Sequence, residues 1–515
     1  MALLLALLLG WGIYQYAYDY FARTAADQNP AKQVDVNDVL KATVTTLTLF
    51  GAVLAGLYAY RKQLLSEGDA HREDAAQLAD RYTTAAEQLG HEQAAVRLAG
   101  VYALARLADD WEEQRQVCID VLCAYLRMPY QPDPAAADHK KGEREVRLTI
   151  IRVIRDHLLS PAAPSSWCLN SFDFTGSTFD GGDFSGSSFF ASADFSAATF
   201  SSGTTSFVHA NFISGTAYFV DAKFSGGDVN FEGAIFAGGA VRFTQAVFSG
   251  GVVNFHLASF TGSPVHFNHA IFSGGNMDFS HAKFSDGTIA FTSSTADSGV
   301  IRFDHAEFTG SDIIFNRAAF GSGSTLTFCE TKFNEGAVDF LQATFHGDLD
   351  FTYASFSGSN FDFTRAAFCA GNIQFTSATI VGGTISFTGA AFNGSFVSFT
   401  GAAFIGATVN FTVAAFSAGA VHFSRATFRA GTVNFTHATF SSGDIDFERS
   451  MFSGATVNFT HATFSSGLSF RGAYFTGGVV SFARVAFRAS SVDFTGAEFG
   501  GTAISWGRIP QPQGA

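Results

Sequence analysis

The sequence is poor in the residues that punctuate and staple ordinary globular domains. Its 515 residues include 9 Pro, 4 Met, 4 Trp and 5 Cys. The cysteines (Cys118, Cys123, Cys168, Cys329, Cys369) are odd in number and form no CxxC pair, so neither a disulfide framework nor a zinc ribbon is encoded. Free, mostly buried thiols in a reducing compartment are expected instead. Charged residues make up only 15% and the balance is acidic, net −14, which argues against a general nucleic-acid binder. No GxSxG, HExxH, P-loop or helix-opening GxGxxG is present, so no catalytic or cofactor constellation is expected. Phenylalanine is missing from residues 51–171, yet the chain holds 60.

All but Phe21 and Phe50 of those 60 fall between Phe172 and Phe499. A length of 515 residues exceeds one ordinary domain, and such a bias fits a repeat array better than a mixed core. The acidity is uneven. Residues 170–399 carry 19 Asp and Glu against 7 Lys and Arg, whereas residues 400–515 carry 5 against 7. The first 169 residues carry 21 against 17.

Two apolar stretches precede the Phe-free region. Ala42 to Tyr60 is 19 residues without a charge, close to the length that crosses a bilayer; Ala2 to Ala17 is marginal. A secretory signal peptide is the rival for the first. It lacks a basic start, and Phe21-Ala22-Arg23-Thr24-Ala25-Ala26 is a weak cleavage site. Arg61 and Lys62, with Arg72 and Arg81 beyond, outweigh the loop's Arg23, Lys32 and Lys41 and favour a cytoplasmic C-terminal bulk.

Residues 63–160 show helical periodicity in four stripes. Ala75, Leu78, Tyr82, Ala85 and Leu89 end at Gly90, and Val96, Gly100, Ala103, Leu104 and Leu107 follow. Cys118, Val121, Leu122 and Tyr125 end at Pro129, and Ile150, Ile151, Ile154 and Leu158 end at Pro161. Cys118 and Cys123, five apart, do not share a helix face and read as core residues.

The run Arg81-Tyr82-Thr83-Thr84-Ala85-Ala86-Glu87-Gln88-Leu89-Gly90, followed by Val96-Arg97-Leu98-Ala99-Gly100-Val101-Tyr102-Ala103-Leu104-Ala105-Arg106-Leu107-Ala108, resembles the helical module of membrane-anchored bacterial pentapeptide-repeat proteins of the actinomycete type. In that family two N-terminal spans and this module precede the repeats, and the resemblance covers the whole layout. It implies a four-sided β-helix and brings no catalytic residues.

The ladder opens with a period of five at Phe174, Phe179, Phe184 and Phe189, then slips by one to Phe190, Phe195 and Phe200. This is similar to the pentapeptide repeat. From Phe207 the spacing alternates five and seven, in 25 twelve-residue units such as Thr432-Val433-Asn434-Phe435-Thr436-His437-Ala438-Thr439-Phe440. Two before the first anchor sits Val or Ile (Val229, Val253, Ile313, Val433, Val457); two before the second sits Ala (Ala210, Ala234, Ala318, Ala438, Ala462). Both share the anchor's side of an extended segment, which must be the inside. Asn230, Asn254, Asn410, Asn434 and Asn458 then point outward, and Gly pairs such as Gly226-Gly227 and Gly250-Gly251 make the corners. A twelve-residue coil has no room for two Phe plus Val and Ala, so one coil is about 24 residues, with about 12 coils over roughly 60 Å.

Three outward features are candidates. His209, His269, His281, His305, His437 and His461 share one position, two after the first anchor; His281 should stack on His305 and His437 on His461. The same position elsewhere holds Arg425, Arg449, Gln342 and Gly389, so a solvated ladder is favoured over a metal site. Thr352, Thr364, Thr376, Thr388, Thr400, Thr412, Thr436 and Thr460 form a column like the flat Thr arrays of ice-binding solenoids, but exposed strands favour Thr anyway and a membrane-tied protein is a poor ice binder. The acidic half resembles the acidic rods by which some pentapeptide-repeat proteins mimic DNA, although acidity also serves solubility.

These readings predict a mainly β protein: a right-handed quadrilateral β-helix of the pentapeptide-repeat type, preceded by transmembrane helices and a small α-helical module. The expected division is 1–62 membrane anchor (helices about 2–20 and 42–60), 63–165 helical module, 166–509 β-helix and 510–515 tail. The expected role is a non-catalytic scaffold at the cell membrane that binds an unknown protein partner, without cofactor, metal or direct nucleic-acid binding. The alternative is a DNA-mimic regulator of a topoisomerase or other DNA-binding enzyme. The helical module should cover the first coil; at the far end Trp506, Pro510 and Pro512 stop edge pairing unless the last coils form a homodimer.

Overall fold

The structure, a computed structural model, describes residues 2–27, 30, 32–137, 139–488 and 492–511. Pro512 lies outside the described residues. The chain divides into two compact units, Met1–Thr83 and Thr84–Ala515.

In the first unit α1 (Ala2–Ala26) packs beside the start of α2 (Val36–Leu89). A shallow apolar groove between them is lined by Leu7, Gly10, Trp11, Leu40, Val44 and Leu47. Val36–Leu65 is long and apolar enough to cross a membrane. No proline lies between positions 31 and 128, and α2 continues without a break through the first of the four expected helical stripes. That stripe is therefore the end of α2 and not a separate helix.

In the second unit the last turns of α2 contribute Ala85 and Leu89 to a small core with α3 (Ala94–Asp110), α4 (Arg115–Arg127) and α5 (Glu143–Leu158). Gly100 is required there, because a Cβ would stand 2.5 Å from the Leu89 nitrogen. The core also buries charge. Arg97, 1% exposed, lies 3.2 Å from Glu143, whose second oxygen is 3.9 Å from Arg147. Tyr125 donates to Glu143 at 2.8 Å. Burial lowers the Arg147 pKa, with Glu143 opposing; burial and the bond to Glu143 push Tyr125 well above the usual phenol range.

From Phe172 the chain winds into a parallel β-solenoid with four faces. The first face stacks 15 short strands, from Phe172–Asp173 to Ala503–Ser505, and the fourth stacks 14, from Ser188–Phe189 to Glu498–Phe499. The second and third faces begin at Thr178–Phe179 and Gly182–Asp183 and merge into one 26-stranded sheet. They merge because Thr295–Arg302 and Ala319–Thr327 run unbroken around the corner, the latter absorbing the extra residue between Phe315 and Phe328.

Val229 pairs with Val253 and Asn230 with Asn254, 24 residues apart, so the coil is the larger of the two considered. A regular coil holds four Phe, with Ala296 and Ile380 standing at anchor positions in two of the others. Same-position rings stack at the strand spacing, as in Phe231–Phe255 (4.8 Å, 3°) and Phe255–Phe279 (4.8 Å, 6°). First anchors from opposite sides meet edge to face at the centre, as Phe219 and Phe231 do at 5.8 Å and 90°. The coils exceed the expected 12, because the period-five opening adds tighter ones: Phe172 pairs with Ala193 and Thr178 with Thr199. Fourteen strand spacings make the stack roughly 65–70 Å long.

Not every Phe faces the core. Phe189, 1% exposed, is the inward residue at the slip, and Phe190 is half-buried. Phe396 lies outside against His422, ring to ring at 4.5 Å. Phe487, Phe494 and Phe499 in the last coils are half-buried, with Trp506 against the latter two at 5.4 and 5.8 Å.

Helices α4 and α5 lie on the first coil, as expected. Arg127 pairs with Asp173, Arg144 with Asp180 at 2.9 Å, and Arg155 with Asp183 at 3.5 Å. A Cβ on Gly182 would meet Ile151 at 2.9 Å, so glycine admits the helix there.

Candidate functional site

The outward columns are where a repeat protein offers chemistry, and the hydrogen bonds show what each column does. At the five-residue corner the chain reverses between anchors. The Phe231 carbonyl accepts from Ala234 N at 3.0 Å, and the intervening Gly233 has φ 62°. Positive φ at the third residue only, with this bond, defines a type II turn. Every other unit repeats it, with the residue two after the first anchor left-handed: His209 (55°), His281 (58°), His305 (57°), Arg425 (58°), His437 (57°), Val413 (59°).

The six aligned histidines are therefore turn residues. His281 and His305 stack at 4.7 Å and 6°, and His437 and His461 at 4.7 Å and 5°, as the 24-residue coil requires. His305 lies 3.5 Å from Glu330. Among the described residues no three His, Cys, Asp or Glu side chains converge where a metal could sit. Of the glycine pairs read as positive-φ corners, Gly250-Gly251 has Gly251 left-handed (φ 72°), whereas Gly226 and Gly227 are not left-handed. They are demanded by close approach, since a Cβ on either would come within 3.0 Å of the Ser201 or Ser202 backbone.

The Asn column is half-buried and engaged. Asn230, Asn254, Asn410, Asn434 and Asn458 each accept, through Oδ1, the backbone N–H two residues on, at 2.9–3.1 Å. That N–H is the one the type II turn leaves without a partner of its own. The Thr column joins the same network. Thr412 and Thr436 donate at 2.6 Å to Asn410 and Asn434, and Asn434 Nδ2 donates back to Thr412 one coil away at 3.1 Å.

Asp takes the same role in the acidic half, at Asp173, Asp183, Asp194, Asp278, Asp339, Asp350 and Asp362. A second bracket holds the seven-residue corner. Asp228, Asp312 and Asp348 accept the backbone N–H of the next coil at 2.8–2.9 Å. Much of the acidity thus comes from residues that close turns, and Asp446 and Asp493 keep the same role in the C-terminal half. Two of these carboxyls have depressed pKa values. For Asp493 hydrogen bonds from Thr495 are responsible; for Asp173 burial opposes, and Thr175 together with Arg127 prevails.

One cleft, about 450 Å³, lies between α5 and the first coils, lined by Arg144, Leu148, Arg152, Arg155, Asp180 and Asp183 among others. Arg144 and Arg155 are committed to the aspartates, and Arg155 also donates to the Ser185 carbonyl at 3.0 Å. They clamp the helix to the coil. On the first face Tyr218, Arg242 and His266 replace the turn-holding residue. Burial, then Arg242, lowers the His266 pKa, and its Nδ1 is buried without a partner.

The five cysteines are free. Cys118, Cys123 and Cys168 are buried, and Cys329 and Cys369 half-buried. Burial raises the pKa of Cys118 to about 11 and of Cys123 to about 12. Burial followed by Asp350 and Asp304 raises Cys329 to about 12.

Comparison with protein-family models, with curated proteins and with solved structures returns no match.

Proposed function

We propose that this chain is a non-catalytic repeat scaffold of the pentapeptide-repeat type, tethered at a cell membrane and presenting its solenoid for protein–protein contact. The observation that carries the reading is the solenoid itself. Its recurring polar side chains are spent on backbone N–H groups, so recognition falls to the variable corner and face residues between them. Val36–Leu65 supplies the candidate tether, with Ala2–Ala26 as the other half of the proposed anchor. Arg61 and Lys62 favour a cytoplasmic solenoid.

The partner is a protein and not nucleic acid. The half-buried Phe487, Phe494, Phe499 and Trp506 make a homodimer through the C-terminal coils part of the same proposal. The DNA-mimic reading is weaker, because mimicry needs charge spaced for a partner and many of these aspartates are placed by turn geometry. Capture of a specific protein from detergent-solubilised membranes by the full chain supports the scaffold. Recovery of the chain in the soluble fraction after cell lysis would remove the tether, and inhibition of a topoisomerase by the purified chain would reinstate the mimic.

A further inference from the structure

The edge between the third and fourth faces changes sign along its length. Successive coils place His305, Glu330, Tyr353, Ser377, Gly401, Arg425 and Arg449 in register at the turn position, each N–H bonded to the coil that follows. Glu330 is 58% exposed, Arg449 63% and Tyr353 63%. Beside them on the fourth face Val381 and Ile405 are paired neighbours, 40% and 39% exposed. Acidic and basic corners therefore flank a small apolar centre at equal distances.

We infer that this face binds a second copy of the chain side by side, with the two solenoids antiparallel. A two-fold axis in the interface, perpendicular to the solenoid and between the coils of Val381 and Ile405, keeps the same edge opposite itself and inverts the coil order. Val381 then meets Ile405. One coil outward Tyr353 meets Arg425, an aromatic face against a guanidinium. Two coils outward Glu330 meets Arg449. Each contact occurs twice. No other centre on this edge matches both the charge pair and the apolar pair, and a parallel arrangement opposes different edges.

Six coils at about 4.8 Å, over a face about 10 Å wide, bury roughly 300 Å² per copy, the size of a weak, salt-sensitive association. The inference deepens the scaffold reading by naming one partner and its surface.

The test is sedimentation velocity of the full chain in detergent at low and high salt, with Arg449→Glu, Glu330→Arg and the double exchange. Both side chains are exposed, and the turn position accepts Glu and Arg alike, so folding is preserved; thermal melts by circular dichroism verify this. The native chain should dimerise at low salt, each single reversal should weaken the dimer about tenfold or more, and the double exchange should restore it. A chain that stays monomeric, a dimer that tolerates both single reversals, or an exchange that fails to restore it overturns the inference. A dimer lost only on removing the last coil belongs to the C-terminal end and also overturns it. Capture of another membrane protein by a monomeric chain would leave the scaffold reading standing.

Discussion

Replacing Asn434 with Ala separates a turn-holding role from a recognition role. Asn434 Oδ1 accepts from Thr436 N at 3.1 Å and from Thr436 Oγ1 at 2.6 Å, while its Nδ2 reaches Thr412 at 3.1 Å. A net hydrogen bond is worth about 0.5–1.5 kcal/mol, and an orphaned, half-buried N–H adds to the loss, so Asn434→Ala should cost about 2–3 kcal/mol. Asn434→Asp keeps both acceptor contacts and loses only the Nδ2 donor, so it should cost about 1 kcal/mol or less. Urea unfolding at pH 7 gives the totals. Hydrogen exchange localises them, because in a stacked array each coil is stabilised by its neighbours and the loss should centre on the coils of Phe411, Phe435 and Phe459. If Asn434→Ala matches the native chain in both assays, or if Asp is as damaging as Ala, the turn-holding role is wrong.

Four further outcomes follow from the same geometry. Val413 is β-branched at φ 59°, a conformation costing roughly 1–2 kcal/mol for an L-residue, so Val413→Gly should raise the urea midpoint despite glycine's larger unfolded-state entropy. Phe435 is fully buried between Phe411 (4.9 Å) and Phe459 (5.0 Å), and Phe435→Ala should cost about 3–5 kcal/mol in the same assay. Glu143→Leu should cost about 3–5 kcal/mol by leaving Arg97 and Arg147 buried without their carboxylate, read as a loss of α3–α5 exchange protection. The depressed pKa values of Asp173 and Asp493 mean that their stabilisation is fully present above the unfolded value of about 3.9 and is lost as pH falls through the lower folded values. Acidification below about pH 4 should therefore loosen the first and last coils through these groups, and Asp493→Asn should blunt the effect in pH-dependent exchange.

Much of the architecture was legible in the residue pattern. The 5–7 alternation of Phe, with Val229 and Ala234 two before their anchors, identified the inside and the 24-residue coil, and so the His281–His305 stack. Hydrophobic periodicity reports only which side is buried. It does not report backbone handedness, and the left-handed corner stayed hidden because its occupants are His281, Arg425, Gln245, Leu257 and Val413 and not a run of glycine. Glycine drew the corner assignment to Gly226-Gly227, where close packing against Ser201 and Ser202 is the reason. The Asn column looked like free surface because alternation distinguishes in from out and cannot show an Oδ1 turned back onto its own main chain. The extra coils escaped because their period-five opening, including Phe190, differs from the twelve-residue unit.

The central claim is that the recurring polar columns hold the turns while recognition belongs to the variable corners. Sedimentation velocity of paired variants at low salt checks it, with Asn434→Ala/Asn458→Ala compared against Tyr353→Ala/Arg425→Ala at a temperature where all remain folded. The Asn pair should lower the urea midpoint and leave the low-salt dimer intact, whereas the corner pair should abolish the dimer at unchanged stability. Loss of the dimer by the Asn pair at native stability, with the corner pair silent, would contradict it.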